Sequence, residues 1–448
     1  MEDLKNLSEY IIKEAKKRGA DEVDVIIANT TRVSIDVRLG KIEELKQANP
    51  KSLGIRILKN KKTARTHTSD FRKDSIRKLI KQTVEMTDYI SQDEFSGLPS
   101  EDLLGKSDAK LELYDEKVPG ITTEEKISML RRMEQIGMEQ SDLITNSEGA
   151  GWSDSKSKVI LANSSGFFGE ENYTSCSMSL SLIAEKSGVK QTDYWSTTNR
   201  FLDKLEPLES GAKEAARRTV RKVGSRKPRT KKVPVVFDPI AGSDLLSILA
   251  TAALGSSIYK RNTFLIDKLN TKIAIDELNL IDDGIMLNGI GSRSFDDEGL
   301  PSRVNKVIGN GVLKSYLCDC YSARKIGHPP TGSASRSTRS DISPSHTNFY
   351  MQNGNSTPGE IIGSVKDGLY LTSVHWVGVN YVTGDYSRGA EGVWIKNGKL
   401  SYPVQEFTVA GNILDMLNSI EMIGNDLKFR GSINAPTFLI KDMMVSGR

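Results

Sequence analysis

The spacing of histidine, cysteine and carboxylate side chains limits the chemistry this chain can do. Its 448 residues hold four His (His67, His328, His346 and His375) and three Cys (Cys176, Cys318 and Cys320). No two His stand close enough for an H-E-x-x-H helix, which offers zinc two imidazoles from one face and a Glu for its water. The best scattered set is Cys318, Cys320, His328 and His346, since Cys-x-Cys on a strand puts both thiols on one side. Zinc spacings usually show a tight pair at each end, so the plainer reading of YLCDC is a half-buried strand with Cys as small hydrophobes. Asp296, Asp297 and Glu298 stand in a row and could take a divalent cation, but the oxygen pattern of a calcium loop is missing. An acidic turn closed by Gly299 and Pro301 is the simpler expectation.

Other motifs are thinner. The Ser-rich stretch Thr331–Ser345, with Arg336 and Arg339, could cradle a phosphate but lacks the G-x-x-x-x-G-K-[ST] order, and reads as a solvated loop. No G-x-S-x-G occurs, and the S-x-x-K matches, among them Ser107–Lys110, Ser153–Lys156, Ser187–Lys190 and Ser322–Lys325, have no partner motif. Asn380–Gly392, NYVTGDYSRGAEG, reads as a tightly specified turn between strands where backbone can approach a ligand.

The net charge of +4 belongs to one segment. Arg221–Lys232 carries seven basic groups and no acid, while the flanking regions are each slightly acidic. No aromatic residue lies in that segment to stack a base, so a nucleic-acid face is not expected and a solvated hinge is. The most apolar window, Leu245–Leu254, is far short of the roughly 20 residues of a spanning helix. The opening MEDLKNLSEY lacks a secretory apolar core, and three Cys suit a reducing compartment. The expectation is a cytoplasmic protein without a membrane span.

The elements that must position these residues indicate an α+β protein. Leu7, Ile11, Ile12 and Ala15 recur at helical spacing, followed by strands at Val23–Asn29, Thr31–Arg38 and Leu53–Asn60 and a helix over Ser75–Ile90. Thr122 with Glu125 forms a capping-box start. Strands at Lys158–Asn163, Thr174–Glu185 and Lys190–Thr198 suit an antiparallel meander, and Glu206–Val220 reads as a helix. Further strands are expected at VLKSYLCDC, GLYLTSVHWVGV, GVWIKNG and KLSYPVQEFTV, with helices at Gly242–Leu254 and Asn412–Ile423. We expect an N-terminal α+β subdomain (1–110), a central helix plus antiparallel meander (111–225) and a large β-rich C-terminal domain (226–448).

Several long stretches together resemble the TldD/PmbA family, known as modulators of DNA gyrase and as metallopeptidases. They are RSFDDEGLPS (Arg293–Ser302), NGVLKSYLCDCYSARKIG (Asn310–Gly327), TGSASR (Thr331–Arg336), NYVTGDYSRGAEGVWIKNGKLSYPV (Asn380–Val404), AGNILDML (Ala410–Leu417), IGNDL (Ile423–Leu427) and NAPTFLIKDMMVSG (Asn434–Gly447). The TldD branch carries an H-E-x-x-x-H helix after its domain-opening strand and a late Cys. Here the corresponding DPIAGSDLLSILATAAL has neither His nor Glu, and the last Cys is Cys320. The resemblance thus implies the PmbA (TldE-like) branch, which lacks the zinc motif. It implies a non-catalytic subunit, with zinc only in a TldD-like partner and small or unfolded peptides as substrates. A homodimer is the alternative assembly. A self-sufficient metallopeptidase with an atypical site and a chaperone-like peptide-binding module are the rival functions, and gyrase modulation fits less well as a direct activity. Asp296, Asp297, Glu298, Asn380, Gly384 and Asp385 are the candidates to face peptide or partner.

Overall fold

One long strand, β1 (Glu22–Arg38), organises the N-terminal half, and its two faces have different fates. Val23, Val25, Ile27, Ile35 and Val37 are buried on one face, while Ile26, Ala28, Thr30 and Arg32 alternate onto the other. The computed structural model describes residues 2–375 and 378–448. The two strands expected at 23–29 and 31–38 are one. Strand β5 (Ile144–Asn163) pairs along it from Asp24 to Val37, while on its other side β3 (Lys51–Lys59) gives way to β2 (Lys41–Ala48). With β4 (Lys62–Thr68), β6 (Phe168–Lys186) and β7 (Val189–Asn199), these strands form one antiparallel seven-stranded sheet of order β4-β3-β1-β5-β6-β7, with β2 against β1. Residues on both sides of position 110 therefore share a single sheet.

Helices cover the apolar face. Helices α1 (Glu2–Lys17) and α2 (Lys73–Met86) bring Ile11, Ala15, Ile76 and Ile80 onto Val23, Val25 and Ile55. The short α3 (Lys117–Gly120), α4 (Thr123–Met138) and α5 (Leu208–Arg221) cover the other end, packing Leu130, Met133, Ala212 and Ala215 on Trp152, Met178 and Leu180. The expected capping box opens α4: Glu125 N–H donates to Thr122 Oγ1, and Thr122 N–H donates to the Glu125 carboxylate.

The basic segment after α5 keeps Arg226, Lys227 and Arg229 exposed, as a solvated stretch would, but is pinned at several points and is not a free hinge. The Arg226 guanidinium lies 3.5 Å from the Tyr402 ring centre, Lys222 is 2.7 Å from Glu391, and Pro228 O accepts from Arg448 N–H. Strand β8 (Lys231–Phe237) then enters a second sheet between Asp367–His375, which runs parallel to it, and Phe438–Ser446. Lys399–Asn412 and Asp385–Lys396 continue that sheet, and the last pairs back onto Asp367–His375, closing the path into a barrel. Helix α6 (Pro239–Ala252) follows β8, with Asp238 accepting from Ile240 and Ala241 N–H at its start. It packs against the barrel and against a smaller five-stranded sheet that includes Leu280–Asp283, Val304–Gly309 and Phe349–Met351.

Three expectations fail here for local reasons. VLKSYLCDC is strand only at Val312–Leu313: Asp319 accepts from Ser322 N–H at 2.8 Å and starts a helix, Cys320–Ile326, that ends on Gly327 at φ 66°. The proposed helix Asn412–Ile423 stops at Asn418, and Ile420–Ile423 instead pairs with Phe438–Ser446. Thr331–Ser345 is no free loop, since Ala334–Ser335 pairs with Ser343–Pro344 and Ser333 and Ala334 are fully buried. Of the strand expected over 368–379, Trp376 and Val377 lie outside the described residues.

Candidate functional site

The sheet face without helices meets the C-terminal domain, and between them lies a cleft of about 590 Å³. Its floor follows from strand alternation: Ile26, Ala28, Thr30 and Arg32 of β1 and Glu171, Tyr173 and Ser175 of β6, each set spaced by two, flank β5, which adds Val159. Its other wall comes from residues 290–297 and 335–338 of the C-terminal domain. Four arginines line it (Arg32, Arg200, Arg293 and Arg336) against two carboxylates, Glu171 and Asp297.

These arginines have different tasks. Arg200, buried just after β7, donates to the carbonyls of Gly289 (2.7 Å), Ile290 (2.6 Å) and Ser292 (3.0 Å), and so clamps the far wall to the sheet. Arg336 donates to Asp24 at 2.5 Å, and Arg56 of β3 donates to the other oxygen of Asp24 at 2.5 Å. Burial pushes the Asp24 carboxyl upward, but Arg336 and Arg56 outweigh it and hold the group below its ordinary range. Arg336 Nε and Nη2 have no hydrogen-bond partner among the described residues, and neither has Arg293 Nε. Arg293 forms one ion pair among the described residues, with Asp297 at 3.6 Å, and its charge also acts on Asp296, Asp282 and Glu171. Arg32 is exposed and forms no ion pair among the described residues. Glu171 accepts from Ser294 N–H at 2.8 Å, and burial raises its carboxyl above the usual value.

The acidic triplet divides between core and cleft. Asp296 is fully buried and accepts from the N–H groups of Glu298, Leu300 and Ala334, which makes it the brace of its own turn. Glu298 is buried and accepts from Cys320 N–H at 2.7 Å; burial and the neighbouring Asp296 and Asp319 raise its carboxyl. Asp297 alone reaches the cleft, where it also accepts from Arg336 N–H. The turn holding Asn380, Gly384 and Asp385 lies elsewhere. There Asn380 Oδ1 accepts from Val382 and Thr383 N–H, Gly384 sits at φ 80°, and Asp385 accepts from Thr383 Oγ1.

The scattered cysteine and histidine set is not gathered. Cys318 lies in the C-terminal core, and burial pushes its thiol up to about 12. Cys320 and His328 line a separate cavity of about 550 Å³, and burial raises the Cys320 thiol further still. His346 lies apart, with Nε2 3.5 Å from Ser432 Oγ. Among the described residues no three His, Cys, Asp or Glu side chains converge as metal ligands.

On α6, where the resemblance puts the metal helix of the TldD branch, Ala241, Leu245, Leu246, Ile248 and Leu249 are buried. Its one acid, Asp244, is 3.2 Å from Arg388, whose Nε donates to His375 O. Sequence reasoning reached Arg336 as a phosphate candidate but missed Arg32, Arg200 and Arg293. The available signal was the polar face of β1 and β6 at a spacing of two.

Comparison with known proteins agrees with this architecture. Models of the PmbA/TldA metallopeptidase match over three consecutive stretches: domain 1 at residues 23–87, the central domain at 116–223 and the C-terminal domain at 230–447. The metalloprotease PmbA of Escherichia coli O157:H7 is 30% identical over 429 residues, covering 96% of this chain and 93% of its own. A PmbA homologue from Haemophilus influenzae is 29% identical, covering 100% and 96%. A solved structure from Bacteroides thetaiotaomicron, named as a modulator of DNA gyrase, superposes with a TM-score of 0.93 at 28% identity and covers both chains completely.

Proposed function

This chain belongs to the PmbA/TldD metallopeptidase family, and we propose that it serves there as a non-catalytic subunit in the cytoplasm. On this reading it pairs with a TldD-like, metal-bearing chain, and the complex cleaves small or unfolded peptides. The observation that carries the reading is α6. A catalytic zinc takes three protein ligands and keeps one open position, where it polarises a carbonyl and lowers the pKa of water. The donor set of α6 is a single carboxylate, Asp244, already engaged by Arg388, and it does not fit such a centre. No step of peptide cleavage is therefore routed through this chain. Its own residues would bind and enclose substrate while the partner's metal does the bond breaking.

Gyrase modulation through DNA contact has less support. Lys222 is paired with Glu391, Lys231 with Asp367 and Lys232 with Asp442, which leaves a shorter run of free charge to meet phosphates. Metal content tests the reading. The purified chain, incubated with zinc and then dialysed, should retain far less than one equivalent. Retention of one equivalent per chain would overturn the non-catalytic assignment.

A further inference from the structure

The cleft between the N-terminal sheet and the C-terminal domain carries more cationic groups than its own acids satisfy. The Arg293 guanidinium has no hydrogen bond among the described residues; its one ion pair within 4 Å is with Asp297 at 3.6 Å, and Asp296, Asp282 and Glu171 feel its charge from further off. Arg336, with its side chain 4% exposed, spends one nitrogen on Asp24 and leaves two without partners. Buried guanidinium donors without acceptors are costly, and the fork of a carboxylate is their best-matched partner. The space of about 590 Å³ is that of a small-molecule or short-peptide site. Its apolar wall, including Ile26 and Phe295, suits side chains better than a bare inorganic ion.

We propose that this cleft binds a short peptide by its C-terminal carboxylate, with Arg293 as the principal contact and Arg32 at the rim. The carboxylate supplies the acceptors that Arg293 and Arg336 lack, and the peptide's side chains lie over the apolar part of the wall. The inference deepens the subunit reading, because it says which part of a small peptide this chain would hold. Binding is nevertheless a property of this chain alone.

Calorimetry on the purified full-length chain tests it, with an unlabelled Ala-Val-Ala tripeptide ending in a free carboxylate and the same peptide ending in a carboxamide. The free acid should bind tighter by about tenfold or more, the scale of one charge-assisted contact. Arg293→Gln should remove most of that preference, and Arg32→Gln, at an exposed position, should reduce it without lowering the melting temperature. Inorganic phosphate serves as the competitor. Equal binding of acid and amide, no binding of either, or phosphate binding as well as the free acid would each overturn the proposal. Peptide cleavage by a mixture with a TldD-like chain is scored separately. Dependence on this chain together with equal acid and amide binding would sink the carboxylate site and leave the subunit reading standing.

Discussion

Asp24 holds two buried guanidiniums, one from β3 and one from the C-terminal domain, and so ties the two halves together through a single carboxylate. Removing one partner of a buried ion pair leaves the other charge uncompensated, so Asp24→Asn should cost about 3–5 kcal/mol at neutral pH. Because its folded pKa is lowered, its stabilisation is present above the unfolded value and is lost as pH falls through the folded one. Urea melts should therefore show the gap between variant and parent closing below about pH 4. Asp282 has the opposite sign. Burial raises its carboxyl to about 6, so its contribution is complete below the unfolded value and is lost as pH rises through 6. Asp282→Asn should remove a stability decline on the order of 3 kcal/mol between about pH 4 and 6. At this scale the sequence was a poor guide. Cys318 and Cys320 look like a ligand pair at a spacing of two, yet Asp319 turns the chain into a helix between them. The cleft arginines stand at 32, 200, 293 and 336, and only strand pairing within the sheet together with the docking of the C-terminal loops on it brings such distant positions together.

At the scale of elements, local chemistry was legible and non-local chemistry was not. The start of α4 could be read because its capping box is four residues long and self-contained. The unity of β1 could not, since it depends on β5 spanning a change of partner from β3 to β2. The β1–β2 hairpin at the end of this strand gives a further test. Leu39 and Gly40 both take left-handed φ, 48° and 72°, as a tight two-residue turn requires, and Glu134 of α4 accepts from both of their N–H groups at 2.9 Å. Glu134→Ala removes the charged acceptor shared by both turn N–H groups and should cost about 1–3 kcal/mol in chemical denaturation. Gly169 on β6 makes a similar point about docking. A Cβ there would lie 2.5 Å from the Phe295 ring, so Gly169→Val should lower the melting temperature by pushing the C-terminal wall off the sheet.

The whole molecule is a sheet backed by helices on one face and by a barrel domain on the other, with a basic, carboxylate-poor cleft between. The α+β class and the β-rich C-terminal half were readable from alternation and turn residues. The cleft was not, because it exists only where the polar face of one domain meets the loops of another. The basic segment shows the same limit: its charges looked solvated in sequence and are partly spent on Tyr402 and Glu391 in the fold. The family resemblance supplied the comparison that gives α6 its meaning, a helix at the metal-bearing place that offers one engaged carboxylate. The most direct measurement is hydrolysis of an unfolded peptide by a purified TldD-like chain, with and without this chain at equal concentration. The account predicts no cleavage by this chain alone and a strong rise when the two are mixed. Cleavage by this chain alone, or an unchanged rate on mixing, would contradict it.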